Sequence, residues 1–589
     1  MWPAQLFAVC AAAAFLAASG AATGQVPPPA ENAATNAGAA GPADFRRVQS
    51  INGIMIVGSL KDFNPDGVPL KPGLTVTNNV LLGTSEFAAL AGRFIGQPLN
   101  EQKMRELQRE IILYYRTHDR PLVDVLYPEQ DVSNGMLQVI VIEGRLKGVR
   151  LMRSDGSPYT NGWTGAPFML GAIRLRTNEV ISESRLLSDV DWLNRNPFRR
   201  IEAVYEPDQR DYGLSSVLLR VDERRPWAVD FGYENSGSRL TSEDRLIAGF
   251  TWGKAFGLTD HLFRYAFTAD PSFELLRAHT ASYFAPLPWR HGLRLSGYYL
   301  DVEAEPGTGL TLSGAAYQTS LRYEVPLPAF GKFQHEASIG LDFKSSENNL
   351  FFNSVSFVNT PTEIFQIAVG YSAVLPDPLG RTSAGIQGYY SPGDVTDKNT
   401  DEAFNLSRPG AEANYAYARF NLERVTVLPW NFTWIIHGGA QIADGNLLPS
   451  EQLGMGGYAT ARGYEEREGN GDQGYLISNE LRTPPFSVLG FLSKEDPDAQ
   501  TSILHPARKT APLEEKIQLL AFWDYGQVSN VELLSGEDAH IVFSSVGVGI
   551  RYSLSRHLAL RFDYGWQLMD TGLGSPDNSR GHLGVTATY

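Results

Sequence analysis

From about Trp227 to Tyr589 the chain alternates apolar and polar residues, strand after strand, and nothing else in the sequence limits its fold as much. Leu558, Leu560, Phe562, Tyr564, Trp566 and Leu568 share one face of a strand, opposite Ala559, Arg561, Asp563, Gly565 and Gln567. Val546, Val548, Ile550, Tyr552 and Leu554 repeat the pattern opposite Gly547, Gly549, Arg551 and Ser553, and the last strand carries Leu583, Val585, Ala587 and Tyr589. A charge facing lipid near mid-membrane costs roughly 2–4 kcal/mol, so the apolar set faces lipid and the polar set a lumen. After the extreme N-terminus no stretch approaches the ~18–20 apolar residues of a membrane helix, so any span is made of strands. A soluble β-sandwich also alternates, but it does not sustain the pattern over roughly 350 residues and finish on an outward aromatic. Five strands after residue 471 and eleven or twelve between residues 226 and 442 make sixteen the nearest even total. The expected fold is α+β in the first part of the chain and an antiparallel transmembrane barrel in the rest.

Composition removes several functions. A net charge of −15 argues against a nucleic-acid partner, which would favour a basic face. The one cysteine, Cys10, stands in an apolar leader, so zinc-thiolate sites and cysteine nucleophiles are not expected in the mature chain. Leu6 to Ala18 is apolar and is followed by Ser19, Gly20, Ala21 and Ala22, the pattern of an export signal cleaved between Gly20 and Gln25. Residues 1–24 are read as signal peptide. Residues 25–49, rich in Pro, Ala, Asn and Gly, are read as a linker with too few large apolar groups to fold.

Residues 50–146 change character. Ile54, Ile56 and Val57 suggest a strand, and Glu86 to Ala91 a short helix. Asn100 can cap a second helix in which Met104, Leu107, Ile111 and Tyr114 or Tyr115 recur at helical spacing. Val123, Val125 and Tyr127 alternate, and Met136 to Ile142 reads as a buried strand, giving the order β-α-α-β-β. Residues 147–223 hold a similar unit: a strand at Val149–Met152, a helical stripe of Leu186, Val190 and Leu193, then paired strands at Ile201–Glu206 and Val217–Val221. Residues 224–589 remain for the barrel.

This layout resembles the outer-membrane transporters of two-partner secretion (TpsB, the ShlB/FhaC/HecB hemolysin secretion/activation type) within the Omp85 superfamily. The resemblance is carried by Glu129-Gln130-Asp131 through Gly135, Val141-Ile142-Glu143-Gly144-Arg145, Leu193-Asn194-Arg195-Asn196-Pro197-Phe198 and Asn235-Ser236-Gly237-Ser238. It implies two periplasmic POTRA (polypeptide-transport-associated) domains, a sixteen-stranded outer-membrane barrel, and a large β-helical secreted partner (TpsA-like) threaded through it.

Ala461-Arg462-Gly463-Tyr464 looks like the family's Val-Arg-Gly-Tyr/Phe signature at the tip of the sixth extracellular loop, which folds back into the barrel. Phe522-Trp523-Asp524 resembles its Phe-x-Asp motif on the thirteenth strand. Alternation in Ile517, Leu519, Ala521, Trp523 and Tyr525 turns those residues to lipid, and so turns Phe522 and Asp524 to the lumen. Arg462 is expected to pair with Asp524, with Glu480 a second acceptor and Gly463 allowing the tight turn. A clamp of this kind either stabilises the barrel or controls its conformation during transport. For substrate, an extended segment can add to a POTRA sheet edge, and the Val123, Val125 and Tyr127 strand with the Asn100–Thr117 helix are the groove candidates.

The chain departs from the family in four places. Residues 25–49 offer poor material for an N-terminal plug helix, Ala461 replaces Val, and Thr241-Ser242 stands where the family tends to have Thr-Gly. The long segment between Arg482 and Lys516 falls on the periplasmic side by strand parity, where short turns are the rule. Two rival readings exist. An insertase of the same superfamily would tend to carry three or more POTRA domains, and only two fit before Trp227. An enzyme or passive porin finds no catalytic spacing here and no use for tandem periplasmic domains. No catalytic residue, metal, cofactor, nucleotide or nucleic acid is expected; outer-membrane lipid and the secreted protein are the expected partners.

Overall fold

Ile54, Ile56 and Val57 are fully buried because strand β1 (Gly53–Val57) lies inside its sheet. The computed structural model describes residues 50–208, 210–307, 310–352, 355–489, 514–573 and 578–589. The signal, the linker and any plug helix before residue 50 lie outside them, as does most of the long 483–515 segment. The chain divides between Arg224 and Arg225 into two compact units.

In the first unit β1 pairs in parallel with β2 (Gly73–Thr77) on one side. On the other side it pairs in parallel with β4 (Met136–Glu143), which is antiparallel to β3 (Val123–Leu126). Helices α1 (Ser85–Gly92) and α2 (Glu101–Thr117) supply Phe87, Leu107, Ile111 and Tyr115 to the core. Each starts on a side-chain cap: Thr84 Oγ1 accepts from Phe87 N–H at 3.3 Å, and Asn100 Oδ1 from Lys103 N–H at 2.9 Å. The sequence order β-α-α-β-β therefore needs one correction, because β2 was not foreseen. That strand has only five half-buried residues and is defined by a pairing with β1, not by its own alternation.

The second domain has strand order β5-β7-β6, where β5 is Arg145–Arg153, β6 Arg199–Pro207 and β7 Leu214–Glu223. Helices α3 (Ala166–Ala172) and α4 (Glu183–Leu193) contribute Met169, Leu186, Val190 and Leu193 to its core. Helix α3 is a second unforeseen element; Gly165, Pro167 and Gly171 obscure its signal.

Beyond Arg225 the strands run β8 (Trp227–Glu234), β9 (Arg245–Trp252), β10 (Leu262–Ala269), β11 (Leu276–Pro286), β12 (Gly292–Gly307), β13 (Leu310–Pro326) and β14 (Gln334–Phe352). They continue as β15 (Val355–Asn359), β16 (Thr362–Asp377), β17 (Gly380–Pro392), β18 (Asn414–Val427) and β19 (Thr433–Ala443). The remainder are β20 (Leu453–Met455), β21 (Gly469–Gly471), β22 (Gln473–Arg482), β23 (Glu515–Ser529), β24 (Ile541–Leu554), β25 (Leu558–Gln567) and β26 (Ser579–Thr588). Neighbours pair antiparallel, and β26 returns to β8 with Gly584 opposite Glu234 and Thr588 opposite Asp230, which closes the barrel. Strand β15 only extends the β14 hairpin, and β20 and β21 belong to a loop, so the barrel has sixteen staves among the described residues. Lipid-facing Leu519 and Trp523 are 48% and 44% exposed, whereas Phe522 and Asp524 on the opposite face are 5% and 0% exposed. A helix, α5 (Asp401–Ser407), interrupts the barrel sequence, with Thr400 capping it through Ala403 N–H. The expectation of strand after strand from Trp227 onward is corrected there.

Candidate functional site

Residues 444–472 join the eleventh and twelfth staves, β19 and β22, and form the sixth outer loop. Its limbs pair as β20 and β21, Leu453 opposite Gly471 and Met455 opposite Gly469, so the loop is a stiff hairpin with residues 456–468 at its tip. Met455, Ala461 and Tyr464 are buried together with Val528 and Phe543 from the barrel wall, so the tip lies inside the barrel.

Arg462 is the centre of that contact. Its Nε and Nη2 donate to the two oxygens of Asp524, each at 2.9 Å, and its own backbone N–H donates to Oδ2 at 3.0 Å. Nη1 donates to Glu480 at 2.6 Å and Nη2 to Ser478 Oγ at 3.1 Å, while the guanidinium lies 3.6 Å from the ring centroid of Phe522. The planar fork matches a carboxylate with two parallel bonds, and the aromatic face covers the side left open. Arg462 is 5% exposed, so this charge is held by protein groups and not by bulk water.

The next two residues fix the approach of the tip. Gly463 has φ +94°, a conformation that favours glycine, and its N–H donates to His582 Nε2 at 3.0 Å. Its carbonyl accepts from Gln567 Nε2 at 2.8 Å. Tyr464 is fully buried, with its ring edge-on to Phe543 at 5.0 Å. The Tyr464 hydroxyl is shared between the carbonyls of Ser544 and Met569 at 2.8 and 2.7 Å, and accepts from Ser544 N–H.

Arg462, Gly463, Tyr464, Phe522, Asp524 and Glu480 thus meet at one place, together with residues that motif reading does not single out. Ser478 bridges to Asp524. Arg551 forms two bonds to Asp563 at 2.8 and 3.0 Å, and Asp563 lies 4.0 Å from Arg462. Tyr458 lies under the guanidinium of Arg561 at 3.5 Å. Lumen-facing parity marks Arg551, Arg561 and Asp563, but no local signal assigns their partners.

The other three candidates are placed differently. Val125 is buried, and Val123 and Tyr127 pack against the same first-domain core. Tyr127 donates to Met104 O at 3.0 Å, Gln108 Nε2 donates to Val125 O at 3.2 Å, and burial pushes the Tyr127 phenol well above its usual range. Val125 is thus part of the domain interior, and Val123 and Tyr127 are half-buried against it. Across the sheet, β2 is the other edge strand, with α1 beside it.

The architecture is a closed barrel of sixteen staves among the described residues, with an inward-folded sixth loop, preceded by two small α/β domains. The family of haemolysin secretion/activation proteins ShlB/FhaC/HecB matches residues 213–497, and the ShlB-type POTRA domain matches residues 73–144. Both matches are of the ShlB type, that of the outer-membrane transporters of two-partner secretion. The chain is 20% identical to the heme/hemopexin transporter protein HuxB of Haemophilus influenzae, over 87% of this chain and 85% of that one. It is 21% identical to the outer membrane transporter CdiB of Dickeya dadantii, over 85% and 83%. The solved structure of CdiB from Escherichia coli has the same fold, with a TM-score of 0.67 at 17% identity over 96% of this chain and 94% of that one. The barrel sits in the outer membrane, the POTRA domains lie in the periplasm, and the protein carries a secreted partner across that membrane.

Proposed function

We propose that this transporter takes a large, β-helix-forming exoprotein in unfolded form, engages it as an added strand on a POTRA sheet edge, and passes it through a lumen whose state is set by Arg462. The single observation behind this reading is the Arg462 centre itself. One loop residue makes five hydrogen bonds to wall residues of a hydrated barrel, where every bonding group can be rehydrated when the loop leaves. Removing one partner of a buried pair costs about 3–5 kcal/mol because the other is left unpaired, and less where water enters. That suits a contact that closes firmly and opens reversibly. An extended substrate would find β2 open along one side, since among the described residues it pairs with β1 alone. Residues 1–24 act as the export signal and 25–49 as a tether ahead of POTRA units at 50–146 and 147–223. The chain does no covalent chemistry in this scheme; folding of the partner outside the cell supplies the driving force, and lipid contacts the apolar outer face.

The test is co-expression with a candidate β-helical exoprotein drawn from its genomic neighbourhood, assayed for surface exposure with wild type and Arg462→Ala. Export by wild type, lost in a variant that inserts normally, is the expected result. A correctly inserted wild type that exports nothing, while other barrels assemble poorly without it, would replace this reading with the insertase.

A further inference from the structure

The tip of the sixth loop contacts β22 to β26, but the base of the same loop is held by a separate sector of the wall. Glu451, fully buried, accepts from Lys344 Nζ of β14 at 2.7 and 2.9 Å and from the Tyr417 hydroxyl of β18 at 2.6 Å. Its backbone carbonyl accepts from Arg419 of β18 at 2.9 Å and from Gln441 of β19 at 3.0 Å. Leu447 and Leu448, just before it, are buried among Ile364, Phe404 and Tyr415. The site shares no residue with the Arg462 centre.

We propose that Glu451 is a second positioning residue for transport: the Lys344–Glu451–Tyr417 contact holds the loop base, so that release of Arg462 alone does not clear the lumen. The chemistry favours a latch over simple support. An apolar contact would hold the base at least as well, since a buried ion pair is weak evidence for stability. A charged pair joining a loop to a wall strand can instead separate into water in a hydrated lumen. Two such contacts on one stiff hairpin make its exit cooperative, because either one alone keeps the hairpin within reach of the other. The inference deepens the export reading, in which the sixth loop moves.

The experiment is the potassium chloride current of full-length protein in planar bilayers for wild type, Arg462→Ala, Glu451→Gln and the double variant. Heat-modifiable gel migration confirms a folded barrel in each. The expected result is a small rise in open time for each single change and at least about a tenfold greater rise for the double, a non-additivity proper to coupled contacts. The exchanged pair Lys344→Glu with Glu451→Lys should return the current toward wild type, which loss of a merely structural charge would not do. A double variant no leakier than Arg462→Ala, or an exchanged pair as leaky as its single changes, overturns the proposal. Where Glu451→Gln gives no folded barrel, Lys344→Met takes its place in the cycle; if neither folds, the pair is structural and the proposal falls. Current needs no partner protein, so an intact cycle with absent export would fault the export reading and not this one.

Discussion

A Cβ on Gly565 would stand 2.7 Å from the backbone nitrogen of Gly463, and one on Gly463 would stand 2.9 Å from the carbonyl carbon of Gly565. The loop tip and the fifteenth stave therefore meet backbone to backbone, and that approach brings Arg462 within reach of Asp524. Gly565→Ala should push the tip off the wall at a cost of about 1–3 kcal/mol, the usual range for overpacking a filled interior. The denaturation midpoint of the purified barrel should fall, and an engineered thiol at Thr460 should become reactive to an external maleimide.

Asp524 and Glu480 are unequal partners. Asp524 takes three N–H bonds from Arg462 and the hydroxyl of Ser478, whereas Glu480 takes one from Arg462 and is also held by Arg482 Nε at 2.5 Å. Asp524→Asn should therefore cost about 3–5 kcal/mol, as for a broken buried pair, and Glu480→Gln only about half as much. Parallel denaturant titrations check the ranking; equal losses would mean that Arg462 leans on both carboxylates alike.

Ser242 occupies φ +70°, ψ 145°, a region that side-chain-bearing residues rarely adopt. Its turn also reaches the sixth loop, with Arg239 Nε 2.9 Å from Glu465. Ser242→Gly should stabilise the barrel by about 1 kcal/mol through relief of backbone strain, and Ser242→Val should destabilise it. Thermal gel-shift midpoints distinguish the three proteins.

Two carboxylates of the first POTRA domain bond to the second. Asp119, at φ +63° just after α2, accepts from Ser182 Oγ at 2.5 Å and from Ser184 N–H at 2.6 Å, at the start of α4. Asp124 likewise accepts from Gly213 N–H of the second domain at 3.0 Å. Asp119→Ala should weaken the joint by about 0.5–2 kcal/mol, the range for a lost helix cap. Small-angle scattering of the periplasmic pair should then show a broader distribution of distances, with faster proteolysis around residues 118–122.

What the sequence determined by itself was whatever depends on neighbours along the chain. Alternation with period two decides which residues of β23 face lipid, because successive side chains must point to opposite sides of a strand. The caps at Thr84 and Asn100 and the helical stripe of Leu107, Ile111 and Tyr115 are local in the same way. Edge strand β2 escaped because its five residues become a strand only by pairing with β1. Helix α5 escaped because seven residues in a barrel loop carry too little periodicity to register. The partners inside the lumen were decided only by tertiary structure. Parity turns Asp524 and Asp563 inward alike, but closure of β26 on β8 and the infolding of a hairpin select Asp524 for the direct bonds to Arg462. Lys344 and Glu451 lie 107 residues apart, and no local pattern encodes their contact. The physical reason is one of range: strand direction and helix capping are set within a few bonds, whereas a buried charge finds its partner only after the wall that carries it has closed.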